Sequence, residues 1–424
     1  MGGSDNNLVV IWDRGTAEKN GKTPSIWSRL LGFFEVTRKI LSAIIMLCVA
    51  GLIAAVIYQS LTQSVIVITS VTLPTSISES GYSPEAFSHL LRVRLLKFKL
   101  DATSSKATPE FNSEYSVPDI AVLDAGISLS TITKLIRDVT GLGQLKELNV
   151  VVFGENSALR YRIVVTHGDA VEVLEPPRAI AGIEGLVEQA AEQIEMSIDP
   201  YIVASTYRKS NPAKANQILD RIILGPLSKE NERLRVWAHI LKSEMLFDRR
   251  MDLDALRETE IAISLDDRNA VAHLNRGSTL IALGRNVDAR EAFKKSLSLD
   301  PEYSLAHLAF ANALASEPEP DLAAATEHYR LAIEYDPYEP RAHFALANHL
   351  SKIEGSEIEV VIELKRAILT STSYPRAHLV LANILRSTDL QSAIEHYQIC
   401  LVEDNANVEC TRALETAEAE LTAP

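Results

Sequence analysis

Cysteine is scarce: three residues in 424, too few for a disulfide framework, so stability has to come from apolar burial. Basic charge is also short. Forty-two Lys and Arg face 56 Asp and Glu, a net −14, which argues against nucleic acid as a partner because phosphate binding needs a basic surface. The chain has no glycine-rich phosphate loop, no nucleophile elbow, no HExxH and no metal-spaced Cys/His cluster. Nothing in it calls for a cofactor, and no enzyme signature is present. What remains is ordinary globular material, 46% apolar and 23% charged, long enough for two or three domains.

One uncharged run stands out. Ile40 to Tyr58 is 19 residues without a charge, enough to cross most of a bilayer's hydrocarbon at about 1.5 Å per residue. Arg14, Lys19, Lys22, Arg29, Arg38 and Lys39 precede it, and no Lys or Arg follows until Arg92. The positive-inside bias therefore places residues 1–39 in the cytoplasm and everything after Tyr58 outside. A cleaved signal peptide would have a shorter apolar core and a small-x-small site; Gln59 to Ser64 offers no Ala-x-Ala, which favours an uncleaved signal anchor. The exported part has no Asn-x-Ser/Thr sequon, in keeping with a bacterial inner membrane and a periplasmic body. The first 58 residues hold six basic and four acidic residues, +2; the rest hold 36 against 52, −16. The body is expected to stand off an anionic membrane and work in the aqueous phase.

Residues 64–180 carry short, mixed periodicities. Val65 to Leu73 is β-branched and ends at Pro74; Ser83-Pro84 starts a helix over Ala86 to Phe98. A strand at Asp119 to Leu123 and a helix at Ser128 to Thr140 follow. Three more strands are predicted at Leu148 to Phe153, Leu159 to Thr166 and Val171 to Leu174, closed by Glu175-Pro-Pro177. The expected order is β-α-β-α-β-β-β, a small α+β domain. Glu155, His167 and Asp169 flank its hairpin turns, where Glu-Asn-Ser and Gly-Asp are turn chemistry before they are an acid–base set.

From Ile183 the text is helical, and one dipeptide keeps returning. Ala-His stands at 238–239, 272–273, 306–307, 342–343 and 377–378, spaced 34, 34, 36 and 35 residues apart. Registers starting at Val236, Ala270, Ser304, Pro340 and Pro375 align small residues at position 8 (Ser243, Gly277, Ala311, Ala347, Ala382). Phe293 falls at position 24 and Pro301 at position 32; past a two-residue insertion near Glu317-Pro-Glu-Pro320, Tyr329 and Pro337 take the same places, and Tyr397 stands at the corresponding aromatic position of the last repeat. This pattern resembles the tetratricopeptide repeat over about 200 residues. The resemblance implies helix pairs stacked into an αα-superhelix with a concave groove. The predicted layout is a cytoplasmic segment 1–39, a transmembrane helix 40–58, the α+β domain 64–180, a helical lead-in with a degraded repeat 183–235, the array 236–405 and a capping helix 406–424.

The five histidines fall at position 4, where the family carries a packing residue, so they are expected to be structural and locally bonded. Asn312, Asn348 and Asn383 fall at position 9, on the face shared by positions 2, 5, 9 and 12, which lines the groove in this family. An Asn side chain donates to and accepts from a peptide group at once. Arg341, Arg376, Lys352 and Arg386 are expected to add a basic spot suited to a carboxylate; solvated helix faces are the bland alternative. Cys400 and Cys410 lie close in the last helices, and a disulfide between them is allowed outside the cytoplasm. The sequence thus points to a membrane-anchored scaffold that binds proteins or extended peptides in envelope assembly or secretion. A sensor or regulatory subunit is the competing class, and an enzyme in the α+β domain is a distant third.

Overall fold

The computed structural model describes residues 65–102, 145–155, 157–167, 170–226, 229–317, 320–371 and 373–422. The predicted strand at 119–123, helix at 128–140 and membrane span at 40–58 lie outside the described residues. Among those described, no helix is long and apolar enough to cross a membrane. Contacts group the chain into two units, one of Met1–Thr69, Pro109–Leu148 and Val165–Val171, the other of Ser70–Thr108, Asn149–Val164 and Glu172–Pro424. In the first, Thr69 Oγ1 donates to the Leu148 carbonyl at 3.0 Å.

Strand β1 (Val65–Thr72) leads into a short helix α1 (Thr75–Glu79), which the sequence reading did not anticipate, and α2 (Pro84–Asp101). β2 (Leu145–Glu155), β3 (Ala158–His167) and β4 (Ala170–Leu174) follow, in a four-stranded sheet ordered β1-β2-β3-β4. Each of the last three strands is longer than its sequence pattern suggested, β2 most of all, where the strand continues into Lys146, Glu147 and Glu155. β3 buries Leu159, Tyr161, Ile163 and Val165 and exposes Arg160 and Arg162, a one-sided strand. The β2–β3 turn needs glycine at Gly154, whose φ is +104° and where a Cβ would sit 2.5 Å from the Ala158 carbonyl oxygen.

In the second unit α2 starts at a Ser83 cap that accepts from the Ala86 N–H at 3.1 Å, with Pro84 in the first turn. Its Phe87, Leu91, Leu95 and Phe98 recur at three- and four-residue intervals and are all buried. α2 packs on α3 (Ile183–Ile198) and α4 (Pro200–Ser210), where Thr206 Oγ1 donates to the Phe98 carbonyl at 3.1 Å.

The remainder is a tetratricopeptide-like helical solenoid. α4 pairs with α5 (Pro212–Leu224), and five further pairs follow: α6 (Lys229–Asp248) with α7 (Asp252–Leu265), and α8 (Ala270–Ala282) with α9 (Asn286–Leu299). Next come α10 (Ser304–Ala315) with α11 (Leu322–Tyr335), α12 (Pro340–Leu350) with α13 (Glu357–Leu369), and α14 (Pro375–Leu385) with α15 (Leu390–Glu403). α16 (Val408–Thr422) closes the array. Small residues at positions 8 and 20 let paired helices approach. Gly277 faces the Phe293 ring, while between α6 and α7 the Ser243 and Thr259 hydroxyls meet at 2.5 Å, one donating to the other and the other to the Ala255 carbonyl, which lies 2.9 Å from both. The buried cluster runs without a break from Leu256 to Leu381, as expected when no single pair can bury enough surface alone. Cys400 and Cys410 are bonded, Cα to Cα 6.4 Å, tying α16 to α15 at the buried end of the stack.

Candidate functional site

The five position-4 histidines are buried, and four of them join the two helices of their pair. His239 Nδ1 meets Glu258 Oε2 at 2.6 Å, and His343 Nδ1 meets Glu363 Oε2 at 2.6 Å. In two other pairs the partner is a second histidine: His307 Nδ1 to His328 Nδ1, and His378 Nδ1 to His396 Nδ1, both 2.9 Å. The partner always precedes position 24 of its repeat. Ala292 occupies that place in the remaining pair, and His273 Nδ1 has no partner among the described residues. His273, His307 and His343 also donate Nε2–H to the loop carbonyls of Asp267, Pro301 and Pro337 at 2.9 to 3.1 Å.

Burial would hold the His343 imidazole down, but the Glu363 bond, the Pro337 carbonyl and the Glu363 charge raise its pKa. Glu363 is moved down from the usual carboxylate value against its burial, by the His343 bond and by Arg366 and His343 charge. His328, His378 and His396 go the other way, burial first; the facing histidine adds to the drop at His328 and His378, and Lys365 does so at His396. These are structural bridges between helices. Among the described residues no group of three or more His, Cys, Asp or Glu could hold a metal.

The position-9 asparagines divide into two kinds. Asn312 Oδ1 accepts from the Tyr329 hydroxyl at 2.8 Å and Asn383 Oδ1 from Tyr397 at 2.7 Å, so in both the position-24 tyrosine crosses the pair. Asn348 faces Leu364 at the equivalent place, and its amide has no hydrogen bond among the described residues. Asn348 and Phe344 border two adjoining cavities. One, of about 320 Å³, is also lined by Asn312, Ser316, Tyr329, His349 and Lys352. The other, of about 520 Å³, is also lined by Arg376, Leu379, Asp404, Asn407 and Glu409. His349 donates from Nε2 toward Thr326 Oγ1 (2.9 Å) and the Leu322 carbonyl (3.1 Å), which leaves Nδ1 as a bare acceptor at the back of the smaller cavity.

The four basic residues expected in the groove do not all come together. Arg341 is clamped by Glu339 through two bonds of 2.8 and 2.6 Å, and borders neither cavity. Arg386 pairs with Glu420 of the capping helix, Nε to Oε2 3.0 Å, and is also outside both. Asn383 is engaged by Tyr397 and lines neither. Asn312, Asn348 and Lys352 do come together, with Arg376 across Asn348, its guanidinium 5.6 Å from the Phe344 ring centre. Opposite Arg376 stand Asp404 and Glu409, so the far end is mixed in charge. Sequence reasoning missed Phe344 although it occupies position 5 of the groove face, and missed the acidic wall because it comes from the turn and first residues of α16. The co-occurrence of Tyr at 24 with Asn at 9 was the available signal for which asparagine is occupied.

A larger cleft of about 620 Å³ lies beside β4, α3 and α5. Of its ionic groups Lys214 pairs with Glu192 at 2.6 Å, and Glu175 pairs at 2.5 Å with Arg162 from outside the lining, while Arg221 lines the cleft with no ion pair among the described residues.

The tetratricopeptide repeat family matches residues 270–303. No curated protein matches the chain. Among solved structures the chain is similar to the APC/C hetero-tetramer Cut9-Hcn1, with 14% identity and a TM-score of 0.44, covering 55% of this chain and 48% of that one. This chain therefore spans about half the length of that one. It is also similar to TTC0263, a thermophilic TPR protein of Thermus thermophilus, with 17% identity, a TM-score of 0.37, and coverage of 43% and 99%. A third is YrrB, described as a TPR protein with an unusual peptide-binding site, with 16% identity, a TM-score of 0.33, and coverage of 42% and 91%.

Proposed function

We propose that this chain is a membrane-anchored scaffold that holds extended segments of partner proteins along the face of α10, α12 and α14. The observation that carries the reading is Asn348: an amide with both a donor and an acceptor open, set between two adjoining cavities and next to the Phe344 ring. An extended peptide offers one N–H and one C=O per residue, which such an amide can bond together without demanding a sequence. Phe344 supplies apolar area for a side chain, and Lys352 and Arg376 favour acidic groups beside it. Anchoring is assigned to Ile40 to Tyr58, with residues 1–39 cytoplasmic and the body in the periplasm, on the strength of the uncharged run and its basic flank.

The test is cross-linking in native membranes with the full chain, comparing Asn348→Ala and Phe344→Ala with Asn383→Ala. The first two variants are expected to lose partners that the third keeps. An unchanged partner set in all three would refute the groove.

A further inference from the structure

Two of the five helix pairs are closed by a contact that tolerates only a limited number of protons. His307 donates Nε2–H to the Pro301 carbonyl at 2.9 Å, so in the neutral ring Nδ1 is bare and accepts from His328 Nδ1–H. One extra proton is accommodated, with His307 then donating to a bare His328 nitrogen. A second puts N–H against N–H at 2.9 Å between two cations. His378 Nδ1 and His396 Nδ1 meet at the same distance of 2.9 Å. The pairs closed by His239–Glu258 and His343–Glu363 hold the opposite chemistry, a carboxylate that welcomes the proton.

The histidine pairs coincide with the tyrosine bonds. Tyr329 follows His328 on α11 and holds Asn312; Tyr397 follows His396 on α15 and holds Asn383. The His343–Glu363 pair has Leu364 in that place and no such bond.

We propose that the two histidine–histidine pairs make the array sensitive to acid: the second proton separates α11 from α10 and α15 from α14, releasing Asn312 and Asn383 from their tyrosines. The consequence for partners rests on the groove reading; the opening itself does not.

No carboxylate hydrogen-bonds either ring pair among the described residues, and the one at salt-bridge distance, Glu403, stands beside the second pair only. Around His307 and His328 stand the rings of Tyr335, 5.5 Å from His307, and Phe310, 4.7 Å from His328, with Glu327 acting on His328 only through space. Around His378 and His396 stand Glu403, 3.9 Å from His378 Nε2 and already accepting from the Tyr374 N–H at 2.9 Å, with Glu395 and Lys365 acting on His396 through space. Burial and the facing ring hold His328 and His378 below the ordinary imidazole value of 6.5. The stability they contribute is therefore present above that value and lost as pH falls below it.

Amide hydrogen exchange of the full chain in detergent, from about pH 7.5 to about pH 5.5 and corrected for intrinsic rates, tests this. Each proton that the open pair takes up and the closed pair refuses should favour opening about tenfold at the lower pH. Protection is expected to fall in α10/α11 and α14/α15 while α12/α13, with His343–Glu363, keeps its own. His328→Glu with His396→Glu rebuilds the carboxylate pair and should erase the difference; His328→Gln with His396→Gln, neutral at both pH values, should do the same if the first variant folds poorly. Equal loss in all three pairs, or an unchanged difference in the variants, overturns the proposal. A groove that proves to bind nothing would leave this measurement intact.

Discussion

Substituting Gly277 by Ala sets two known effects against each other. Gly277 is at position 8 of its repeat, inside α8, where Ala instead of Gly should gain about 1 kcal/mol of helix propensity. The new Cβ would, however, lie 2.5, 2.6 and 2.9 Å from Cε1, Cδ1 and Cζ of Phe293. The ring is 1% exposed and its far side meets Phe310, centres 6.1 Å apart, so it has no solvent to move into. Overpacking of this kind costs about 1–3 kcal/mol. The net expectation is a loss of about 1 kcal/mol, concentrated in α8 and α9. Urea unfolding of the full chain gives the total, and exchange in the α8/α9 peptides gives its location. Pairing Gly277→Ala with Phe293→Leu should recover part of the loss, with a coupling of at least about 0.5 kcal/mol. A neutral or stabilising Gly277→Ala, or strict additivity with Phe293→Leu, would refute the reasoning. In either case the spacing of paired helices would not be set by this contact.

Other perturbations separate packing from binding. Tyr161 is fully buried, and its hydroxyl finds no partner among the described residues. Tyr161→Phe is therefore expected to raise stability by about 1 kcal/mol in chemical denaturation. Asn312→Ala should cost about 1 kcal/mol through the lost Tyr329 bond, whereas Asn348→Ala should leave the unfolding midpoint within error and show only in partner capture. Reduction of Cys400–Cys410 should cost about 2–3 kcal/mol for a loop of this length and loosen α16 before the rest of the array, read by exchange with and without reductant.

Much of the solenoid could be read from the chain text because its determinants are local and periodic. Ala-His at a 34-residue period, small residues at position 8 and aromatics at 24 state helix, contact face and partner in one register. A helix start was equally legible where a cap is encoded, as at Ser83, whose Oγ accepts from the Ala86 N–H at 3.1 Å. The α+β part was less so. The extra turn α1 has no period to announce it, and β2 begins at Leu145, ahead of the apolar stretch that starts at Leu148. The binding face was half legible. Position 9 named three asparagines, but whether each amide is open depends on a residue some 15 positions away, Tyr or Leu, on the opposite helix.

By itself the sequence determined the repeat, its register, the buried position of the five histidines and the chemistry available at each position, since these follow from residue type and helical spacing. Only the tertiary structure decided how those groups are engaged. Arg341 and Arg386 pair with Glu339 and Glu420, Asn348 alone of the three asparagines lacks a hydrogen-bond partner among the described residues, and four of the five position-4 histidines face either a carboxylate or another histidine. The reason is physical: a side chain's charge and donors are properties of its residue, whereas the groups that satisfy or oppose them come from another helix brought to within about 3 Å by packing.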